Sequence, residues 1–314
     1  MSAMRETMAA QPKALERILA DRRALDDAAR RLEGRRVLVV GTGTSWHAAN
    51  QGVSMLRRAG LEAWPVAAVD AALGDPFPTA DDALILLTHR GTKHFTSEVL
   101  ARARARDVPT VVISRQGNPD GDLDTVPNET SSAFTASHLG ALLRLAQLAE
   151  RLGAELGSLA DVPDAVAAEL VNPATDVVPP RRLLQYAGVG INAWTAAEGA
   201  LKISETARVA SEGLACETVL HGPAVALGVD DALVCLDGGE GSDRLLELAD
   251  VVAAQGSTVH RFARTELGGT LSIFPLIVIV QKIAAEAAEL LGTNPDRFGR
   301  DLPEREAAWS RVAL

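Results

Sequence analysis

Apolar positions in this chain fall into short continuous runs separated by polar segments with helical spacing. RRVLVV, closed by Gly41, reads as a strand buried on both faces, and Ala83–Leu87 and PTVVIS, ending at Ser114, repeat the pattern. Leu61–Ala67 predicts a further strand, and apolar residues three and four apart predict helices over Trp46–Ala59 and Ser97–Arg106. The turn-rich RQGNPDGD leads to a short LDTVP strand and a long helix from about Ala133 to Leu152. Gln11–Leu32, ahead of all this, predicts one amphipathic helix. Alternating strands and helices of this kind predict an α/β unit with an essentially parallel sheet.

GSLADVPDAVAAELVNPATDVVPP is polar and dotted with proline, the composition of a helical connector and linker. The pattern then restarts with the strand RLLQYAGVG, a helix over Ala193–Val209, the strand and turn ALVCLDGGEGSD, the helix LLELADVVAAQG, the strand STVHRFA and a closing helix Phe274–Leu291. The most apolar stretch, LSIFPLIVIVQKIAAEAAELLG, is interrupted by Pro275, Gln281, Lys282 and two glutamates, too soon to span a bilayer; it reads as a buried strand-to-helix element. Strand, glycine turn and helix at Val37–Ala59 recur at Leu183–Val209, as two copies of one fold would require. The predicted organisation is an N-terminal helix over 1–33, a phosphate-binding domain over 34–155, a connector over 156–180, a second domain over 181–292 and a polar tail over 293–314.

A chain of 314 residues with 47% hydrophobic and 23% charged positions has the balance of a globular protein. Its formal charge of −10 argues against nucleic acid or an anionic membrane as partner, so any phosphate site has to be locally basic. Two cysteines, Cys216 and Cys235, make neither a disulfide framework nor a metal cluster, and no signal peptide opens the chain; a cytoplasmic location fits. Four lysines, Lys13, Lys93, Lys202 and Lys282, stand among 31 basic residues, so each retained lysine invites a role that a guanidinium cannot fill.

The third strand runs into Thr88-His89-Arg90-Gly91-Thr92-Lys93 and then a helix. Backbone N–H groups at a helix start lack intrahelical partners and the dipole adds positive potential, so with Thr88, Arg90, Thr92 and Lys93 the junction suits a phosphate. An ordinary polar turn is the other reading. Gly41-Thr42-Gly43-Thr44-Ser45 repeats the geometry after the first strand, and in a doubly wound sheet two such loops meet where the strand order reverses. A dinucleotide fingerprint is the rival there: Trp46 stands in place of its third glycine, while Asp70 keeps it open. Glu198, Lys202 and Glu205, at i, i+4 and i+7, share one helical face, as a proton-transfer set or as a solvated ion-pair stripe. His221 in LHGPA projects from a turn, either as an acid–base group or as a surface histidine; His47 reads as a packing or capping residue, and His89 and His94 border the phosphate turn. No acidic or histidine cluster has metal-ligand spacing, and no cofactor is expected.

Taken together, these segments resemble the sugar isomerase (SIS) family, and within it the double-SIS proteins typified by the isomerase half of glutamine-dependent glucosamine-6-phosphate synthase. The family's Gly-Thr-Ser loop appears as Gly43-Thr44-Ser45 and its Ser-Gln-Ser-Gly-Glu-Thr phosphate turn as Thr88–Lys93. Ala133-Phe134-Thr135, Ala197-Glu198-Gly199-Ala200-Leu201-Lys202 and Leu220-His221-Gly222-Pro223 match three further motifs in order. The resemblance implies two domains, each a mainly parallel five-stranded sheet flanked by helices, flavodoxin-like. It implies Glu205 as the enolisation base, His221 as the ring-opening group reaching into a neighbouring subunit's site, Lys202 and Glu198 beside the base, and a homodimer. It places the substrate phosphate on Gly43, Thr44, Ser45, Thr88, His89, Arg90, Gly91, Thr92, Lys93 and Thr130. In the tail the family's Schiff-base lysine is replaced by Arg300, which stays protonated and cannot be that nucleophile. With no glutamine-hydrolysing domain within these residues, the expected activity is an isomerase or deaminase, not glutamine-dependent, acting on a phosphorylated hexose or amino-hexose by proton transfer between C1 and C2. The alternatives are a non-catalytic sugar-phosphate sensor, motivated by Arg300 and the rewritten phosphate turn, and nucleotide-dependent redox chemistry.

Overall fold

The computed structural model describes residues 1–74 and 77–312, which divide into two compact units, each built on its own sheet. Among the described residues the first-sheet unit comprises 10–129, 136–163 and 312; the second-sheet unit comprises 1–9, 130–135 and 164–311.

Five parallel strands form the first sheet: β1 (Val37–Gly41), β2 (Ala63–Ala67), β3 (Ala83–Leu87), β4 (Thr110–Ser114) and β5 (Leu123–Asp124), in the order β2-β1-β3-β4-β5. Every residue of β3 is buried, as its unbroken apolar run requires of a central parallel strand. Helices Thr44–Arg58, Ala68–Leu73 and His94–Ala105 connect the strands, and Ala68, Ala72, Phe77, Val99 and Ala103 pack on Val40, Leu84, Leu86 and Val112. The strand order reverses between β1 and β3, which pair with Val40 opposite Leu86, so the loops leaving both strands lie side by side at the carboxyl edge.

The expected single helix over Gln11–Leu32 is two, Gln11–Ala20 and Leu25–Leu32. Arg144, fully buried, donates to the Asp21 carbonyl at 2.7 Å and to the Asp21 carboxylate at 2.8 Å. Those acceptors satisfy a guanidinium that burial would otherwise leave unpaired, and the chain turns there.

The second sheet has four parallel strands, not the five expected: β6 (Leu184–Gly188), β7 (Ser211–Ala215), β8 (Ala232–Asp237) and β9 (Thr258–Ala263), in the order β7-β6-β8-β9. After β9 the chain goes into helix rather than a fifth strand; even in the first sheet the fifth is only the two-residue β5. β7, SEGLA, has no apolar run and is an edge strand; at Gly213 a Cβ would stand 2.1 Å from the Ala196 carbonyl oxygen. The stretch read as strand-to-helix is helical throughout, Gly268–Leu271 followed by Ile273–Leu290. Pro275 falls in the first turn, where its missing N–H breaks no helical bond. This helix is long and apolar enough to cross a membrane, yet it is almost wholly buried inside the protein. Leu276, Ile279, Val280 and Ile283 pack on Leu184, Tyr186, Val234 and Leu236 of the sheet and Ala196 and Ile203 of helix Asn192–Ala207.

The two sheets share a construction at their amino edges. Arg36, before β1, pairs with Asp82, before β3, at 2.8 Å; Arg182, before β6, pairs with Asp231, before β8. Asp82 also accepts the Thr79 N–H, and Asp231 accepts those of Leu183 and Gly228.

Candidate functional site

In the first-sheet unit the two switch-point loops are shaped by glycine. A Cβ on Gly41 would meet the Ser45 carbonyl oxygen at 2.2 Å, so only glycine lets helix Thr44–Arg58 begin directly on the strand end. Gly43 caps that helix with φ +57°, and the N–H groups of Ser45 and Trp46 return to the carbonyls of Thr42 and Gly43.

The neighbouring loop is held from within and from below. Thr88, buried, accepts the Gly91 N–H at 3.1 Å, Gly91 has φ +72°, and Ser97 Oγ donates to the Gly91 carbonyl at 3.0 Å. Thr92 and Lys93 are exposed at the start of helix His94–Ala105. Arg90 donates to the Glu129 carbonyl at 2.7 Å and to Asn128 Oδ1 at 3.3 Å. His89 Nε2 accepts the Glu129 N–H at 3.0 Å, which assigns the proton to Nδ1; burial, reinforced by Arg90 and Arg115 against the opposing pull of Glu129, pushes its pKa down to about 4. His89 is therefore a neutral strut and adds no cation to the turn.

Glu129 gives no sequence signal of its role. Its buried carboxylate accepts the Ser137 N–H at 2.6 Å at the start of helix Ala136–Arg151, where a negative charge is favoured by the dipole, and its backbone carries both His89 and Arg90.

In the second-sheet unit Gly188 repeats the role of Gly41: its Cβ would lie 2.2 Å from the Asn192 carbonyl oxygen, where helix Asn192–Ala207 begins. At Gly199 a Cβ would stand 2.9 Å from the Tyr186 ring, so glycine lets that helix lie on β6. The other face carries the charged set. Lys202 Nζ lies 2.7 Å from Glu205 Oε2 and 3.4 Å from Glu198 Oε1, with side-chain exposures of 1% for Lys202, 0% for Glu198 and 18% for Glu205. This is not a solvated stripe. Burial alone would depress the Lys202 ammonium, but Glu198 and Glu205 reverse the effect and hold it above the ordinary lysine range. The set is thus a fixed cation between two carboxylates, of which Glu205 alone has access to a solute.

His221 ends helix Cys216–Leu220 with its side chain 77% exposed and Nε2 at 3.2 Å from Glu217, whose carboxylate also takes Arg244. The structure brings it to Glu217 and not to the Lys202 set. Arg300 stacks over Trp309 at 5.6 Å, and Thr130 is exposed. Arg208, which sequence reasoning passed over, closes helix Asn192–Ala207 at φ +60°, a backbone that costs a residue other than glycine about 1–3 kcal/mol. Among the described residues no group of three or more histidine, cysteine, aspartate or glutamate side chains is placed to hold a metal ion.

No family model matches the chain. In an alignment 306 positions long that covers 83% of this chain it is 29% identical to the isomerizing glutamine–fructose-6-phosphate aminotransferase of Pyrococcus horikoshii, and in one of 311 positions that covers 84% of the chain it is 23% identical to that of Chlorobaculum tepidum. The chain spans about half the length of these curated relatives, 50% in both cases. Among solved structures, the C-terminal domain of glucosamine-fructose-6-phosphate aminotransferase from Francisella tularensis has a TM-score of 0.77 at 16% identity, covering 94% of this chain and 98% of that one. Tagatose-6-phosphate ketose/aldose isomerase from Escherichia coli matches with a TM-score of 0.77 at 19% identity and 95% coverage of both chains. At those identities the structures establish the fold.

Proposed function

We propose that the chain is a double-SIS protein that binds a phosphorylated hexose or amino-hexose and carries a proton between its C1 and C2, as an isomerase or deaminase. The observation that carries this reading is Glu205, the one carboxylate of the buried Glu198–Lys202–Glu205 set that a solute can reach. Aldose–ketose interconversion needs a single base that takes the C2 proton, leaves an enediol, and returns the proton to C1. Glu205 is held against the charged Lys202 at 2.7 Å, placed to serve as this base. Lys202 acts as that cation rather than as a nucleophile, because its neighbours keep it protonated. The turn Thr88–Lys93 and the loop Gly43–Ser45 supply backbone and side-chain donors for the phosphate, with Lys93 rather than His89 bringing charge. His221, exposed and oriented by Glu217, serves as the ring-opening group of a neighbouring subunit in a homodimer.

The test is proton exchange at C1 and C2 of fructose, glucose and glucosamine 6-phosphates in deuterated water, read by NMR. Glu205→Gln should slow exchange by about 10²–10⁴-fold, the range for losing a general base, while sugar-phosphate binding persists. Absence of binding to every one of these esters overturns the reading. Binding without exchange in the parent protein favours the second reading, a sugar-phosphate sensor, for which Arg300 on Trp309 in place of a nucleophilic lysine is the specific observation.

A further inference from the structure

We propose that Arg208 and Arg305, gathered around the Gly299 turn at the end of the Glu205 helix, form a receptor for a second anionic group on the substrate, a carboxylate or another phosphate. The proposal rests on the reading of the chain as a sugar-phosphate-converting protein.

The tail is pinned to that helix end by specific bonds. Thr293 Oγ1 donates to the Thr206 carbonyl at 2.7 Å, and the Asp296 carboxylate accepts the N–H groups of Ala3 and Met4 at 2.9 Å each. The turn that follows is tight, with Phe298 at φ +49° and Gly299 at φ +71°. A Cβ on Gly299 would stand 3.1 Å from Arg305 Nη1 and 3.7 Å from Arg208 Cδ, so the two arginine side chains flank one turn.

Neither guanidinium has an acceptor among the described residues, although Asp301, Glu304 and Glu306 lie on the same tail. Arg208 Nε is buried with no hydrogen-bond partner. The half-buried Arg31 and Arg264 and the fully buried Arg144 are matched: Arg31 has Asp27 and Asp122, Arg264 has Glu169, and Arg144 has Asp21. Arg208 also occupies a left-handed backbone position where glycine would be relaxed. An unmatched, strained arginine beside a second one repels it, and an anion between the two removes both the repulsion and the missing acceptor. Carboxylate and phosphate offer the paired oxygens that a guanidinium fork accepts. Arg208 stands just beyond the end of the helix that carries Glu205, and the second anionic group is accordingly assigned to the reacting end of the sugar.

Calorimetric titration of the full chain with fructose 6-phosphate, fructose 1,6-bisphosphate and 6-phosphogluconate tests this. One or both doubly anionic ligands should bind at least about tenfold tighter than fructose 6-phosphate, the gain expected of a charge-assisted pair. Preference for the gluconate alone identifies a carboxylate, and preference for the bisphosphate alone a phosphate. In Arg208→Gly, where glycine accepts the backbone without strain, and in Arg305→Ala, the ratio of affinities should fall to near one. Equal binding in the parent overturns the proposal, as does a ratio that survives both variants, including a parallel loss for all ligands. Fructose 6-phosphate binding without any preference removes only this inference; failure of all three ligands to bind removes the functional reading with it.

Discussion

The two units run the same strand order through four strands and the same Arg–Asp pair at the amino edge, yet their carboxyl edges carry opposite charge. β3 opens into Thr88-His89-Arg90-Gly91-Thr92-Lys93, whereas β8 opens into Asp237-Gly238-Gly239-Glu240-Gly241-Ser242-Asp243. In the second loop Asp237 is buried and occupied internally, accepting the Gly239 N–H at 2.8 Å and Ser242 Oγ at 2.7 Å. A loop that closes on its own carboxylate repels a phosphate, and one furnished with hydroxyls and a lysine attracts it. The buried charge is divided likewise. Helix Asn192–Ala207 carries Glu198 and Lys202 inside, while the corresponding helix Thr44–Arg58 buries only the neutral polar side chains Asn50 and Gln51. A repeated backbone thus sets where loops and helices start, and charge decides which of the two does which job.

The sharpest way to break this contrast is Lys202→Met, which strands Glu198 and Glu205 without their cation. Removing one partner of a buried pair should cost about 3–5 kcal/mol in denaturant unfolding, and a cost below about 1 kcal/mol would mean that the set is solvated after all.

Gly41→Ala and Gly188→Ala probe what the units share. Each forces a Cβ to about 2 Å from a helix carbonyl, and each should cost about 1–3 kcal/mol. A large cost in one and none in the other would show that the frames are not equivalent.

The amino-edge pairs give a parallel pH test. Burial works to raise Asp82, but its hydrogen bonds from Arg36 and Thr79 hold the carboxyl below the ordinary aspartate value; at Asp231 the Arg182 bond dominates in the same direction. A depressed folded pKa stabilises above the unfolded value near 4 and loses that contribution as pH falls through the folded one. Asp82→Asn and Asp231→Asn should therefore each flatten the acid limb of the stability curve below about pH 4.

The smallest effect concerns the first unit alone. His89 is lowered from 6.5 to about 4, so the unfolded chain binds the extra proton between these values and stability falls as pH drops from 6.5 to about 4. His89→Gln should reduce that slope, and histidine NMR of the parent should show one imidazole that stays neutral down to about pH 4.

Much of this was legible because periodicity reports burial. The continuous runs of β3 and β8 are central strands, and Gly41 and Gly188 fall where strands meet helices. β7 was illegible because an edge strand needs no apolar run; the closing helix expected over Phe274–Leu291 stands at Ile273–Leu290, and only the reading of its leading run as a strand fails, because a run buried on all sides has no period to reveal. At the candidate site, spacing put Glu198, Lys202 and Glu205 on one face but could not say whether that face met water. Of the four lysines, Lys202 and Lys282 are buried. Lys202 is the buried cation, and the Lys282 ammonium donates to the carbonyls of Glu169, Asn172 and Pro173 at 2.9–3.0 Å, a three-donor task for a compact head group.

By itself the sequence determined the repeated strand–glycine–helix frame, the basic turn after β3 and the common face of the acidic helix, since these depend on neighbours along the chain. Only the tertiary structure decided that His89 is neutral, that Glu129 supports the turn, that Glu205 alone of its set is reachable and that Arg208 meets Arg305 across Gly299. Those properties come from desolvation and from partners distant in sequence, and no local pattern encodes either.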